Sequence, residues 1–90
     1  MPFNYEALRT KTQQTRIEFL DAELKLGRTL AQSAILSRNE GHDDHYEQAK
    51  RHATRAAESV RRFVSQVVDG KVRVKIVNQL AELDRLISTL

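Results

Sequence analysis

Cysteine is missing from all 90 residues, which excludes disulfides and thiolate metal sites but leaves the compartment open, since a cysteine-free chain suits either redox setting. Proline occurs once and glycine three times, too few to cut the chain into many turns. No apolar run approaches the ~18 residues of a membrane span. The start, Met1-Pro2-Phe3-Asn4-Tyr5-Glu6, lacks the basic stretch and apolar run of a secretory signal, so the expectation is a cytoplasmic protein. What remains, 40% hydrophobic and 30% charged side chains, fits one small soluble helical domain over residues 1–90. A chain of this size buries somewhat more than the roughly 60% of unfolded surface typical of a 60-residue domain, so stability should be modest and dimerisation would help.

The clearest pattern runs from Asp44 to Val67. Tyr46, Ala49, Ala53, Ala56, Val60, Phe63 and Val67 recur at gaps alternating between three and four, which places them on one helical stripe opposite Arg51, Arg55, Glu58 and Arg62. Such a helix must pack against others. Upstream, Asn4 is a good N-cap residue and Glu6 stands in the first turn, where a carboxylate favours the positive end of the helix dipole. Between Glu6 and Gly27 there is neither glycine nor proline. Ile17, Leu20, Leu24, Gly27, Ala31, Ala34 and Ile35 keep helical spacing, and Phe19, Leu26 and Leu30 are expected to widen the buried face.

The spacing therefore predicts an all-α, antiparallel three-helix bundle with a long first helix, the helices covering about 4–38, 44–68 and 71–89. Gly27 within the first helix costs about 1 kcal/mol relative to alanine and needs a packing reason. The alanines of the second helix, Ala49, Ala53, Ala56 and Ala57, supply one: the Gly27, Ala31 and Ala34 side can lie against them at short range. Gly41 fits a helix C-cap, and Asp44 with Glu47 has capping-box spacing. His42, Asp43, Asp44 and His45 crowd the same turn. They reproduce no ligand spacing of known mechanism, and Asp and Asn favour turns for local hydrogen-bonding reasons, so no metal is expected there.

Val67 to Ile76 is ambiguous. Its alternation around Asp69-Gly70 is a strong local hairpin signal, whereas Val72, Ile76, Leu80, Leu83, Ile87 and Leu90 continue as a helical stripe. A lone two-stranded hairpin is marginal in water, so the favoured reading is a helix-helix turn in which Gly70 caps the second helix, with the hairpin as its rival.

The order of helices, with Gly41, Tyr46 and Ala49 opening the second and Ala53 and Ala56 continuing its small side, resembles the microtubule-interacting-and-trafficking (MIT) domain and the related tetratricopeptide helical hairpins. The resemblance spans about Glu18 to Leu90 and implies a three-helix bundle whose inter-helix grooves accept short peptides of partner proteins. No second copy at a 34-residue period appears, which argues against a tetratricopeptide array.

Net charge is +3 and unevenly placed. Glu40, Asp43, Asp44 and Glu47 make the first turn acidic; Arg61, Arg62, Lys71, Arg73 and Lys75 surround the second and are the candidate anion-binding set. A nucleic-acid reader usually adds a recognition helix, stacking aromatics or much higher charge. Here there are two Tyr and three Phe, and many charges pair at helical spacing: Asp21 with Lys25, Glu47 with Arg51, Glu58 with Arg62. A basic nucleic-acid accessory protein is the second-ranked reading. Catalysis has less support, because the apolar stripes carry no carboxylate or histidine and Ser33, Ser37, Ser59 and Ser65 have no partner pattern; neither enzyme activity nor a cofactor is expected.

The helix lengths point to a binding surface. At 1.5 Å per residue a first helix of about 35 residues spans ~52 Å and a second of about 25 covers ~37 Å. Coverage would stop near Thr15, leaving Phe3, Tyr5 and Leu8 on a projecting arm. With the neighbouring groove between the first and third helices, that arm is expected to bind a protein partner or a second copy as a homodimer.

Overall fold

A computed structural model describes the backbone of residues 5–90 and the side chains from residue 7 onward. The described residues form α1 (Tyr5–Asn39), α2 (Asp43–Phe63) and α3 (Gly70–Ser88), with a 3-10 turn at Val64–Gln66. The short connections reverse the chain twice, giving an up-down-up bundle with extents of 60 × 25 × 15 Å. None of the described helices is long and apolar enough to cross a membrane.

The core follows the expected stripes. Leu20, Leu24 and Ala31 of α1 meet Ala53, Ala57 and Val60 of α2 and Ile76, Leu80 and Leu83 of α3, and Val67 of the connection closes the end. Each Leu, Ile or Val taken fully out of water contributes about 1.5–3 kcal/mol. Alanines contribute less area but let the helices come close. Gly27 lies where all three helices converge: a β-carbon there would stand 3.2 Å from Ala56 Cβ and 2.7 Å from Leu83 Cδ2. The short approach expected between Gly27 and the alanines is present, and α3 takes part in it.

Phe19 and Leu26 depart from expectation. Instead of widening the buried face they are 44% and 50% exposed, because Leu20, Leu24, Gly27, Ala31 and Ala34 already fill the contact with both partner helices. Their side of α1 faces outward.

The first turn is a Schellman closure. Gly41 adopts φ +76°, the Gly41 N–H donates to Arg38 O at 3.2 Å and the His42 N–H donates to Ser37 O at 2.8 Å. That geometry changes the capping box expected from Asp44 and Glu47. Once the His42 N–H is held by Ser37, the chain re-enters a helix at Asp43 with His42 in the cap position and no side-chain cap. Asp43 and Asp44 then both sit in the first turn, where their charge favours the helix dipole.

The second turn is also corrected. α2 ends at Phe63 rather than near residue 68, and Gly70 is the first residue of α3 rather than a cap on α2. Val67 leaves the helical path to an extended conformation with ψ 118°, which brings its side chain fully into the core. Asp69 then caps α3, its carboxylate accepting from the Lys71 N–H at 2.9 Å and the Val72 N–H at 3.2 Å. The rival β-hairpin is absent, since the described residues contain no strand. A tight Asp-Gly hairpin turn needs positive φ at its glycine, and Gly41 is the glycine that has it.

Candidate interaction surface

The extended α2–α3 connection has no backbone ladder partner, and the side chains of α1 supply one. Gln13 Nε2 donates to Gln66 O at 3.1 Å, Gln13 Oε1 accepts from the Val68 N–H at 3.0 Å, and Arg16 NH1 donates to Gln66 O at 3.3 Å. One amide thus meets both a carbonyl and an N–H of a chain segment more than fifty residues away. This clasp sets the limit of coverage on α1 at Gln13, two residues beyond the expected Thr15. The first turns of α1 project past it.

Open grooves flank the clasp. One of about 600 Å³ lies between Leu8, Thr12, Ile17, Val68 and Asp69. The other, of about 580 Å³, lies between Lys11, Thr15, Arg16, Phe19, Phe63 and Gln66. Leu8 and Val68 are 47% and 67% exposed. Phe19 and Phe63 meet edge to face with centroids 6.2 Å apart, and the Arg62 guanidinium lies 5.4 Å from the Phe63 ring centroid. Of the expected arm residues, Leu8 lines the first groove, whereas the side chains of Phe3 and Tyr5 lie outside the described residues. The first groove is walled by the α2–α3 connection where a first-to-third-helix groove was expected.

The five basic residues are held in different ways. Arg61 turns along α3 and grips Asp84 through NH2, at 2.7 and 2.6 Å from its two carboxylate oxygens. Arg73 NH1 donates to Val67 O at 2.9 Å and so tethers the connection. Arg62 leans on Phe63, while Lys71 and Lys75 extend into solvent. The three expected intrahelical pairs, Asp21–Lys25, Glu47–Arg51 and Glu58–Arg62, do not close to within 4 Å; among the described residues the arginine or lysine that does meet a carboxylate is Arg61, with the interhelical Asp84.

At the opposite end, His42 and His45 are exposed with their rings 6.2 Å apart, and His42 Nε2 lies 3.5 Å from Glu40. The Tyr46 hydroxyl donates to Leu90 O and Arg38 NH1 to Thr89 O, fastening the end of α3 to the first turn. No charged or polar residue is buried among the described ones, and no three of their His, Asp and Glu side chains are placed to hold a metal ion. The arrangement offers apolar grooves with polar rims.

Gln13 and Val68 were missed by sequence reasoning, because a clasp between segments so far apart leaves no periodic trace. The outward Phe19 and Leu26 do have a signal, the spacing that links them to Leu8. No protein-family model, curated protein or solved structure matches this chain.

Proposed function

We propose that this chain is a small, non-catalytic protein-interaction module of MIT-like or tetratricopeptide-like form, acting in the cytoplasm through the projecting start of α1 and the grooves beside it. The observation that carries the reading is the apolar exposure of Leu8, Phe19 and Val68 around the Gln13 clasp. A lone exposed leucine means little, but apolar side chains gathered along grooves mark surfaces that another chain can cover. The occupant is a partner segment or a second copy, and no cofactor is required.

A nucleic-acid accessory role draws less support. Arg61 and Arg73 are occupied by Asp84 and Val67, which leaves Arg62, Lys71 and Lys75 to meet phosphates, and sequence-independent affinity grows with the number of phosphates neutralised. The two readings are tested together. A photoactivatable residue replacing Val68, in the otherwise full chain expressed in its native host, should give discrete protein adducts that Leu8→Asp abolishes. Titration with a random DNA duplex should give no saturable binding at physiological salt. Tight, steeply salt-dependent duplex binding without protein adducts would overturn the module reading.

A further inference from the structure

The outward side of α1 carries a repeat of its own. Leu8, Phe19, Leu26 and Leu36 are 47%, 44%, 50% and 58% exposed. With Thr12, Thr15, Ala22, Thr29 and Ser33 they recur at alternating gaps of four and three from residue 8 to residue 36, the a and d positions of a heptad repeat. All nine are exposed and none is charged, although 30% of the chain is. A solvated helix face ordinarily carries its charges there. This stripe, ~42 Å long at 1.5 Å per residue, reads as a seam for another helix.

We propose that the other helix is α1 of a second copy, running antiparallel, with Phe19 level with Ala22 of that copy. This rests on the interaction-module reading and names its partner. The charges beside the seam decide the orientation. On one side stand Lys11, Glu18 and Lys25, on the other Arg9, Arg16 and Glu23. In a parallel pair the two sides face each other across the seam, so Lys11 would oppose Arg16 and Glu18 would oppose Glu23, like against like. In an antiparallel pair each side faces its own counterpart. With Phe19 opposite Ala22, Glu18 meets Lys25 and Arg16 meets Glu23, and the two-fold symmetry of the pair repeats each contact.

Register is decided in the same way. Sliding one heptad in one direction opposes Glu18 to Glu18 and Lys11 to Lys25; sliding in the other opposes Lys25 to Lys25 and Glu23 to Glu23. Size agrees with charge against the first of these slides, which would set Leu8 against Leu26, whereas the favoured register sets Phe19 against Ala22, Leu26 against Thr15 and Leu8 against Ser33; against the second slide charge alone decides. Facing layers that alternate large with small pack without voids. Glu18, Glu23 and Lys25 form no ion pair within 4 Å with another described residue; Glu18 accepts a hydrogen bond from Gln14 Nε2 at 3.2 Å, and Arg16 keeps its contact with Gln66.

The natural chain has no cysteine, so introduced thiols report geometry alone. In the full chain, Leu8→Cys with Ser33→Cys should give covalent dimers with a short bismaleimide, and each single variant should not. Sedimentation equilibrium should show Glu18→Lys and Lys25→Glu each weakening self-association at least about tenfold, and the combined Glu18→Lys/Lys25→Glu variant returning it to within about threefold of the natural chain. Both positions are exposed, so circular dichroism should be unchanged throughout. A chain that stays monomeric to about 1 mM overturns the pairing, and protein adducts from position 68 to other proteins would then still uphold the module reading. Cross-linking by Leu8→Cys alone, or failure of the charge reversal to restore association, overturns the antiparallel register.

Discussion

Leu83 of α3 occupies the space that a side chain on Gly27 of α1 would need: a β-carbon there would lie 2.7 Å from Leu83 Cδ2. Glycine within a helix costs about 1 kcal/mol relative to alanine, and the convergence of three helices on this point offsets that cost. Gly27→Ala should regain the propensity and lose more to overpacking, which typically costs about 1–3 kcal/mol. Leu83 has a flexible end but is buried, and Ala56 Cβ at 3.2 Å is fixed to its backbone. The expected outcome is a lowered urea midpoint. Leu83→Ala alone should cost about 2–5 kcal/mol, and the double variant should be less destabilised than the sum, with a coupling of about 0.5–3 kcal/mol. Strict additivity would show that the two residues do not compete for one space.

Ala53 tests the α1–α2 crossing. Its side chain is fully buried in the core cluster beside Leu24 and Ala31. Ala53→Leu should therefore force the helices apart and cost about 1–3 kcal/mol. Denaturant midpoints of the two proteins give the answer, and equal midpoints would contradict the packing.

Asp69 carries the start of α3. Its carboxylate accepts two of the N–H groups that the first turn of a helix leaves without partners. Asp69→Ala should lower stability by about 1 kcal/mol, while Asp69→Asn, an equally good cap, should remain close to the natural chain. If alanine and asparagine behave alike, the cap does not hold α3 in place.

Periodicity carried most of this architecture. α1 could be read as one long helix because nothing interrupts it before Gly27, and the Gly27–alanine approach followed from residue size. Periodicity alone could not say which of the two apolar stripes of α1 enters the core. Phe19 and Leu26 are hydrophobic enough for either role, and it is Gly27, Ala31 and Ala34, small enough for backbones to approach, that take the inside. The break after Phe63 was hidden for a related reason: Val67 falls on the helical stripe by count, yet reaches the core by leaving the helix. The Gln13 clasp and the Arg61–Asp84 pair join distant segments through polar side chains, and no local pattern announces such contacts. The groove at Leu8 was legible as an uncovered helix end; its second wall, Val68, depended on the path of the connection.

The basic set separates into members that hold a partner and members that do not. Arg61 and Arg73, though exposed, hold Asp84 and Val67 O, whereas the exposed side chains of Lys71 and Lys75 make no hydrogen bond or ion pair with another described residue. An exposed ion pair contributes about 0–1 kcal/mol after screening by salt, and a hydrogen bond from a charged donor to a carbonyl contributes about 1.5–3 kcal/mol where solvent is excluded. The Arg73 bond is part-buried, so its loss should outweigh that of the exposed Arg61 pair. Arg73→Gln should therefore lower the denaturation midpoint more than Arg61→Gln, and Lys71→Gln with Lys75→Gln should leave it unchanged. Changing all of Arg61, Arg62, Lys71, Arg73 and Lys75 to glutamine should preserve the helical circular dichroism, lower stability by little more than the Arg61 and Arg73 changes together, and remove any weak duplex binding. Tight, sequence-selective duplex binding by the natural chain at physiological salt, lost in this variant, would reverse the ranking of the two functions and make the second turn the site.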